Sequence, residues 1–333
     1  MIGHRGASGY RPEHTASAYE LAFALGADAV EPDVVLSLDG VPVVRHENEI
    51  SGTTDVASRP EFASRRTTKS VDGAALTGWF TEDFTWAELQ TLRARERLAS
   101  IRPASASFDG RFGILRLSEV LQIVDRASEG GTPRRIVVEL KHASYFESLG
   151  MPLGSIVAEE LAAAGWGQQP ERLVVESFEK TVLRELQERG LPARYIYLIE
   201  AGGSPFDAVL RHGAAAESYA HALTDAGLAV LAAEVDGISV DKALILPRDP
   251  LGASHHASDV VARAQAAGLA VFTWTLRAEN RFLPRNYREG RAPGDFGRWE
   301  DEFRAIMATG VDGVFADQPD LAVAARLGVG GAA

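Results

Sequence analysis

The chain has 333 residues and no cysteine. That absence excludes disulfides, thiolate metal sites and a cysteine nucleophile, and it leaves the redox compartment open. No uncharged apolar run approaches the roughly 18 residues that a membrane span needs, so no stable membrane insertion is expected. Basic charge is in short supply: 34 Lys and Arg against 46 Asp and Glu give a formal net charge of −12. Such a chain does not grip nucleic acid or anionic lipid by bulk charge. The opening Met1-Ile2-Gly3-His4-Arg5-Gly6 has no basic segment followed by an apolar one, so the sequence as it stands carries no signal peptide. The expectation is a cytoplasmic protein, or a secreted or periplasmic one if the natural N-terminus is longer or was cleaved.

What is present is a rhythm. Hydrophobic residues make up 46% and charged residues 24%, the profile of an ordinary globular protein. Short β-branched runs alternate with Ala/Leu-rich helical stretches. Strands are expected at Met1–His4, Ala29–Val34, Arg135–Leu140, Arg172–Phe178, Arg194–Ile199, Asp236–Val240, Ala270–Leu276 and Asp312–Ala316. Helices are expected at Thr15–Leu25, Ser118–Arg126, Leu153–Ala164, Lys180–Arg189, Ala215–Ala226, Ser258–Ala267, Glu300–Thr309 and Asp320–Leu327. Gly26, Gly165, Gly190, Gly268 and Gly310 each close a helical pattern, as helix C′ glycines do. Ala-Gly-Leu-Ala-Val occurs twice, at Ala226–Val230 and Ala267–Val271, and at the first site helix end and strand start look alike. Alternating elements imply parallel pairing with right-handed crossovers. A prior of about 150 residues per domain suggests two domains, but barrels of about 250 residues form one core. The eight units therefore point to a single (β/α)₈ TIM barrel domain over residues 1–333. A doubly wound sheet is the alternative, but Gly3-His4-Arg5-Gly6 does not match its glycine-rich phosphate loop.

One stretch breaks the rhythm. From Glu47 to Leu117 the chain is polar, and its single clear helix start is the capping box Thr85-Trp86-Ala87-Glu88. It reads as an insertion between strands two and three that stands over the active site, with a decorative surface insertion as the alternative.

In a parallel barrel the site lies at the C-terminal strand ends. There stand His4 and Arg5 after strand one, Glu31 and Asp33 on strand two, His46 just beyond, and Glu139 and Lys141 on strand three. Glu176, Trp274 and Asp317 mark the ends of strands four, seven and eight. Residues at i and i+2 share a face, so Glu31 sides with Asp33 and Glu139 with Lys141. Carboxylates this close are costly to bury unless a cation neutralises them. Oxygen ligands of this kind suit Mg²⁺ or Ca²⁺. The competing reading is a salt-bridge network in which Lys141 and Arg5 pair with the acids.

The run Ile2-Gly3-His4-Arg5-Gly6-Ala7-Ser8-Gly9-Tyr10-Arg11-Pro12-Glu13-His14-Thr15 resembles the signature opening of the glycerophosphodiester phosphodiesterase family. Gly26-Ala27-Asp28-Ala29-Val30-Glu31-Pro32-Asp33-Val34, Asp39-Gly40-Val41-Pro42-Val43-Val44-Arg45-His46, Val138-Glu139-Leu140-Lys141 and Phe315-Ala316-Asp317-Gln318-Pro319-Asp320 are similar to its later motifs, in order along the chain. The long insertion and Ser51–Val56 look most like its periplasmic-type branch. The resemblance implies one divalent cation, Ca²⁺ or Mg²⁺, on Glu31, Asp33 and Glu139. It makes His4 and His46 the acid–base pair and gives the phosphate to Arg5 and Lys141. Trp274 either packs against the glycerol carbons or lines the core. The substrate implied is a small glycerophosphodiester, such as glycerophosphocholine or glycerophosphoethanolamine. Phospholipase D-like action on lysophospholipids or sphingomyelin is the enzymatic alternative, and a non-catalytic phosphate-ligand barrel is the alternative of another class. Trp274-Thr275-Leu276-Arg277 departs from the commoner Trp-Thr-Val-Asn, which puts substrate contacts there in question.

Other residues read as duller. Glu13 is expected to orient Arg5 or His4, His14 to sit in the loop before helix one, and His142 to face outward. His212 and His221 fall in an Ala-rich helical region, and His255-His256 precedes a helix. Asp241 and Lys242 are expected to pair with each other, Arg277–Arg304 to form a solvated loop and helix start near the site mouth, and the tail Gly328–Ala333 to fray.

Overall fold

The computed structural model describes residues 1–330. Twelve strands form among the described residues: β1 (Ile2–His4), β2 (Ala29–Glu31), β3 (Asp33–Leu36), β4 (Pro42–Val44), β5 (Thr67–Val71), β6 (Ala74–Gly78), β7 (Arg135–Leu140), β8 (Leu173–Ser177), β9 (Arg194–Ile199), β10 (Gly237–Asp241), β11 (Ala270–Leu276) and β12 (Gly313–Ala316). Eight of them close a parallel barrel in the order β1, β2, β7, β8, β9, β10, β11, β12 and back to β1. The closed (β/α)₈ barrel expected from the repeat is thus the observed fold. Its second strand differs in one detail. Pro32 has no amide hydrogen to donate, so the expected Ala29–Val34 strand is split into β2 and β3. β3 continues along β7, with Asp33 opposite Glu139, and β4 folds back antiparallel on it.

The barrel interior is built in layers. Ile2, Ala29, Val137, Val174, Ile196 and Phe315 pack together inside the strands. Two residues further along, on the same face, stand His4, Glu31, Glu139, Glu176, Leu198 and Asp317. An apolar plug therefore lies directly beneath a polar rim, and the alternation of the strands builds both at once. Helices pack outside; Leu117–Ser128, for example, buries Val120, Leu121 and Val124. The five helix-closing glycines all adopt the left-handed conformation their role requires, with φ from 74° to 94°.

Two expectations on elements need correction. No helix spans Ala215–Ala226. Ser218 caps a short helix, Tyr219–Ala222, and Thr224 caps a second, Asp225–Glu234, so the two hydroxyl caps divide the region. The first Ala-Gly-Leu-Ala-Val copy is therefore helical, whereas the second runs from a helix end into β11. Short helices also occupy two rim loops, Ala143–Ser148 and Phe206–His212. Of the tail expected to fray, Gly328–Gly330 continue the last helix, Pro319–Gly330, and residues 331–333 lie outside the described residues.

Between β4 and the Leu117–Ser128 helix the chain forms short helical turns and the hairpin β5–β6, whose two-residue turn Asp72-Gly73 has φ of 48° and 80°. Trp86–Leu89 begins with the Thr85/Glu88 capping box read from the sequence. Among the described residues no helix is long and apolar enough to cross a membrane.

Candidate active site

β1 ends in a sharp turn. Arg5 is left-handed, with φ 57°, and Gly6 follows at φ 84° against the backbone of Ala18, where a Cβ would come within 2.5 Å of the Ala18 carbonyl carbon. Only glycine fits there. The turn leaves His4 pointing into the rim and carries Arg5 under it.

His4 is nine-tenths buried, and its Nδ1 lies 2.6 Å from Asp317 Oδ1 at the end of β12. Burial alone would push Asp317 up, but Arg277 and Arg102 outweigh it and hold the carboxylate well below its usual range. Arg102 Nη2 donates to Asp317 Oδ2 at 2.6 Å and Arg277 Nε at 2.7 Å. An ionised carboxylate only accepts, so the proton of neutral His4 sits on Nδ1 and Nε2 carries the lone pair. Burial and the nearby Arg5 charge lower the His4 pKa to about 4, which keeps the ring neutral.

His46 follows β4 on the other side of the cavity. Its Nδ1 is 2.8 Å from Glu47 Oε1 and its Nε2 is 3.4 Å from Lys141 Nζ. Burial, then the charges of Arg5 and Lys141, hold its pKa down to about 3. Both histidines thus have Nδ1 against a carboxylate.

Between them lie Glu31, Asp33 and Glu139, with one oxygen of each within 4.8 Å of the others. Burial pushes Glu31 well above the usual carboxylate range, with Asp33 and Glu139 adding to it. Burial also carries Glu139 up, to about 8, against the pull of Lys141. Asp33 is the exception: burial raises it, but His46, Lys141, His14 and Arg5 together hold it well below that range. Lys141 Nζ lies 2.8 Å from Glu139 and 3.9 Å from Asp33, and Arg5 Nε is 3.4 Å from Asp33. Arg5 also donates to both oxygens of Glu13, so Glu13 orients Arg5 as the sequence suggested. Its backbone amide donates to Glu31 Oε2 at 2.8 Å.

The salt-bridge alternative is therefore partly realised, yet it leaves charge over. Among the described residues Glu31 has no ion pair, and the buried Asp33 Oδ1 has no hydrogen-bond partner. An unpartnered buried carboxylate oxygen among three acids is the setting that a hard divalent cation fits.

Phe178 and Trp274 form an aromatic wall of the cavity, the Phe178 ring centre lying 5.5 Å from Lys141 Nζ. Their rings meet edge-on at 5.7 Å, and Trp274 Nε1 donates to the Ser239 carbonyl at 3.2 Å. The cavity enclosed by these residues is about 570 Å³. The eight residues singled out from the sequence, His4, Arg5, Glu31, Asp33, His46, Glu139, Lys141 and Trp274, are all brought to this rim, Asp33 lying just behind the surface that lines it.

Several residues belong here that sequence reasoning placed elsewhere. His14 is not a plain loop residue: it is fully buried, with Nε2 2.8 Å from Asp33 Oδ2 and Nδ1 2.7 Å from the Tyr19 hydroxyl. His142 does not face outward. β7 stops at Leu140, and His142 is left-handed at φ 55°, which turns its ring back into the cavity, 2.6 Å from Asp72 and 3.1 Å from Glu47. Arg277 opens the run expected to be solvated but is committed to Asp317. Lys242 ignores Asp241 and pairs with Glu302 at 2.8 Å, while Asp241 caps the Ala243 amide. Asp317 was visible as a strand end, and its spacing of two from the inward-facing Phe315 is the signal that it points into the rim.

A parallel barrel whose C-terminal rim joins a carboxylate triad, two carboxylate-backed histidines and the cations Arg5 and Lys141 defines a phosphodiesterase of the barrel class. Residues 4–321 match the model of the glycerophosphoryl diester phosphodiesterase family, and the chain belongs to that family. It is 30% identical over 332 residues to the glycerophosphodiester phosphodiesterase GDPD6 of Arabidopsis thaliana, covering 95% of this chain and 82% of that one. Crystal structures share the fold. One from Silicibacter pomeroyi superposes with a TM-score of 0.67 at 23% identity, over 99% of this chain and 93% of the other. An Oleispira antarctica phosphodiesterase, in complex with its product sn-glycerol 3-phosphate, gives 0.62 at 20%, over 98% and 95%.

Proposed function

We propose that the protein hydrolyses glycerophosphodiesters, such as glycerophosphocholine or glycerophosphoethanolamine, to glycerol 3-phosphate and an alcohol. It would do so with one Ca²⁺ or Mg²⁺ held by Glu31, Asp33 and Glu139. The observation that carries the reading is the unpartnered carboxylate oxygen in a buried acidic triad, set between two histidines whose Nδ1 atoms face carboxylates. The product bound to the Oleispira antarctica protein supports the choice of substrate. When bound, the cation supplies positive charge at the phosphate, where the transition state gathers negative charge.

The chain's own residues do the rest. Arg5 and Lys141 bind the phosphate oxygens. His4 takes a proton at Nε2 from the attacking hydroxyl, and Asp317 stabilises the imidazolium that results. His46 gives a proton to the departing alcohol oxygen, which an alkoxide leaving group requires. His46 must then be charged before the step. Burial is the largest cause that depresses its pKa; a bound anionic phosphodiester offsets the next two, the charges of Arg5 and Lys141, while Asp33 and Glu47 favour the charged ring. Attack by the 2-hydroxyl of the glycerol gives a cyclic phosphate that water opens with the two roles reversed. Attack by water is the other route through the same pair. Trp274 packs against the glycerol carbons, and the segment 47–117 covers the site.

The aromatic wall of Phe178, Trp274 and Tyr219 is the apolar surface that phospholipase D-like action on lysophospholipids calls for. One experiment separates these readings: release of glycerol 3-phosphate from glycerophosphocholine and glycerophosphoethanolamine, and of choline from lysophosphatidylcholine, before and after EDTA. Release from the diesters, abolished by EDTA and restored by Ca²⁺ or Mg²⁺, is expected. Turnover that survives exhaustive chelation contradicts the cation, and turnover of lysophosphatidylcholine alone contradicts the substrate. No turnover of any of the three contradicts the enzymatic role in favour of a binding barrel.

A further inference from the structure

The segment between β4 and the Leu117–Ser128 helix reaches the groups that stand behind both histidines. On one side, Arg102 is buried and makes three charge-assisted bonds: Nη2 to Asp317 Oδ2 at 2.6 Å, Nε to Glu279 Oε1 at 2.6 Å and Nη1 to the Ser8 carbonyl at 3.1 Å. Asp317 passes this on to His4 through its other oxygen. On the other side, Asp72 at the tip of the β5–β6 hairpin lies 2.6 Å from His142 Nδ1. His142 Nε2 is 3.1 Å from Glu47 Oε2, and Glu47 Oε1 is 2.8 Å from His46 Nδ1. The hairpin is itself tied down, because Lys69 of β5 bridges Glu82 at 3.0 Å and Asp83 at 2.7 Å.

We infer that this segment is a positioning device for both histidines, Arg102 acting on His4 through Asp317 and Asp72 acting on His46 through His142 and Glu47. The inference rests on the acid–base roles proposed above and goes beyond a covering role for the segment.

The physical argument is one of orientation. A histidine ring turns freely about its last side-chain torsion unless one nitrogen is fixed, and the fixing carboxylate must itself be fixed. A carboxylate with both oxygens bound to separate partners has lost its own rotation. Asp317 is in that state, and Glu47 has His142 bonded at one oxygen with His46 Nδ1 at ion-pair distance, 2.8 Å, from the other. In each case a partner at the second oxygen leads into the segment. His142 sits between two carboxylates, which raise its pKa to about 9 against the effect of burial, so it is a cation at neutral pH and grips both. A displacement of about 1 Å at a reacting group costs on the order of 100-fold in rate.

Double-mutant cycles test the assignment, since a residue that acts through a histidine loses its effect once that histidine is gone. Asp72→Gly removes the carboxylate and tolerates the left-handed φ of 48°. Arg102→Met removes the guanidinium and keeps much of its length. On glycerophosphocholine each is expected to lower kcat about 10- to 100-fold with KM little changed. In the His46→Ala background Asp72→Gly should cost less than about 2-fold, and in the His4→Ala background Arg102→Met should do the same. Asp72→Asn, which keeps an acceptor and also tolerates the turn, should recover most of the loss. Full-sized effects of Asp72→Gly and Arg102→Met in the histidine-less backgrounds overturn the inference, because a general structural defect persists whatever else is missing. Absence of any loss in Asp72→Gly and Arg102→Met overturns it too. Should His4→Ala and His46→Ala themselves lose nothing, the acid–base reading falls first.

Discussion

A histidine serves as acid or base when one ring nitrogen is held and the other faces the substrate. In the proposed roles, His4 is held by Asp317, which two arginines clamp, and His46 has Nδ1 2.8 Å from Glu47, which a third histidine binds. His142 has a measurable consequence of its own. Its pKa is raised from 6.5 to about 9, so the folded protein binds its proton more tightly than the unfolded chain does. The stability it contributes is complete below pH 6.5 and is lost as pH rises through about 9. The melting temperature of the wild type should therefore exceed that of His142→Gln at pH 6, and the gap should close by pH 9.5. A gap that is constant with pH contradicts the ion-pair account. At this scale the sequence was legible wherever side chains ride on strands: Glu31, Asp33, Glu139 and Lys141 follow from a period of two. It was not legible at His14 and His142, both left-handed, nor at Arg102 and Arg277, which reach the site from loops. Periodicity carries no direction for a residue in a turn.

Elements joined by buried charge give a second test. Lys242 follows β10 directly and pairs with Glu302 on the helix Trp299–Met307, the two side chains being almost fully buried. Removing one partner strands the other. Lys242→Met should cost about 3–5 kcal/mol in denaturant unfolding, and adding Glu302→Leu should return most of it. A single variant within about 0.5 kcal/mol of wild type would show that the pair bears no load. The βα units were readable because two periodicities and five closing glycines agree. The β5–β6 hairpin does not stand out in the sequence, although Val71-Asp72-Gly73-Ala74 holds the Asp-Gly turn signal. Its strands are largely exposed, so they lack the apolar alternation that marks a half-buried strand. The Ala215–Ala226 helix failed for the opposite reason: alanine content outweighed the caps at Ser218 and Thr224.

For the whole molecule, the same strands that plug the barrel with Ile2, Val137 and Phe315 raise His4, Glu139 and Asp317 one layer higher. Fold and site are therefore one pattern, to which the stretch between β4 and the Leu117–Ser128 helix adds Arg102 against Asp317 and Asp72 against His142. The central claim is that His4 and His46 divide the base and acid roles in diester cleavage. The most direct test measures kcat for His4→Ala and His46→Ala on glycerophosphocholine and on a p-nitrophenyl ester of glycerol phosphate, whose leaving group needs little help from an acid. Both variants should lose about 10²- to 10⁴-fold on glycerophosphocholine. On the p-nitrophenyl ester His46→Ala should recover most of that loss and His4→Ala should recover none. Equal recovery by the two variants, or no loss in either, would contradict the account.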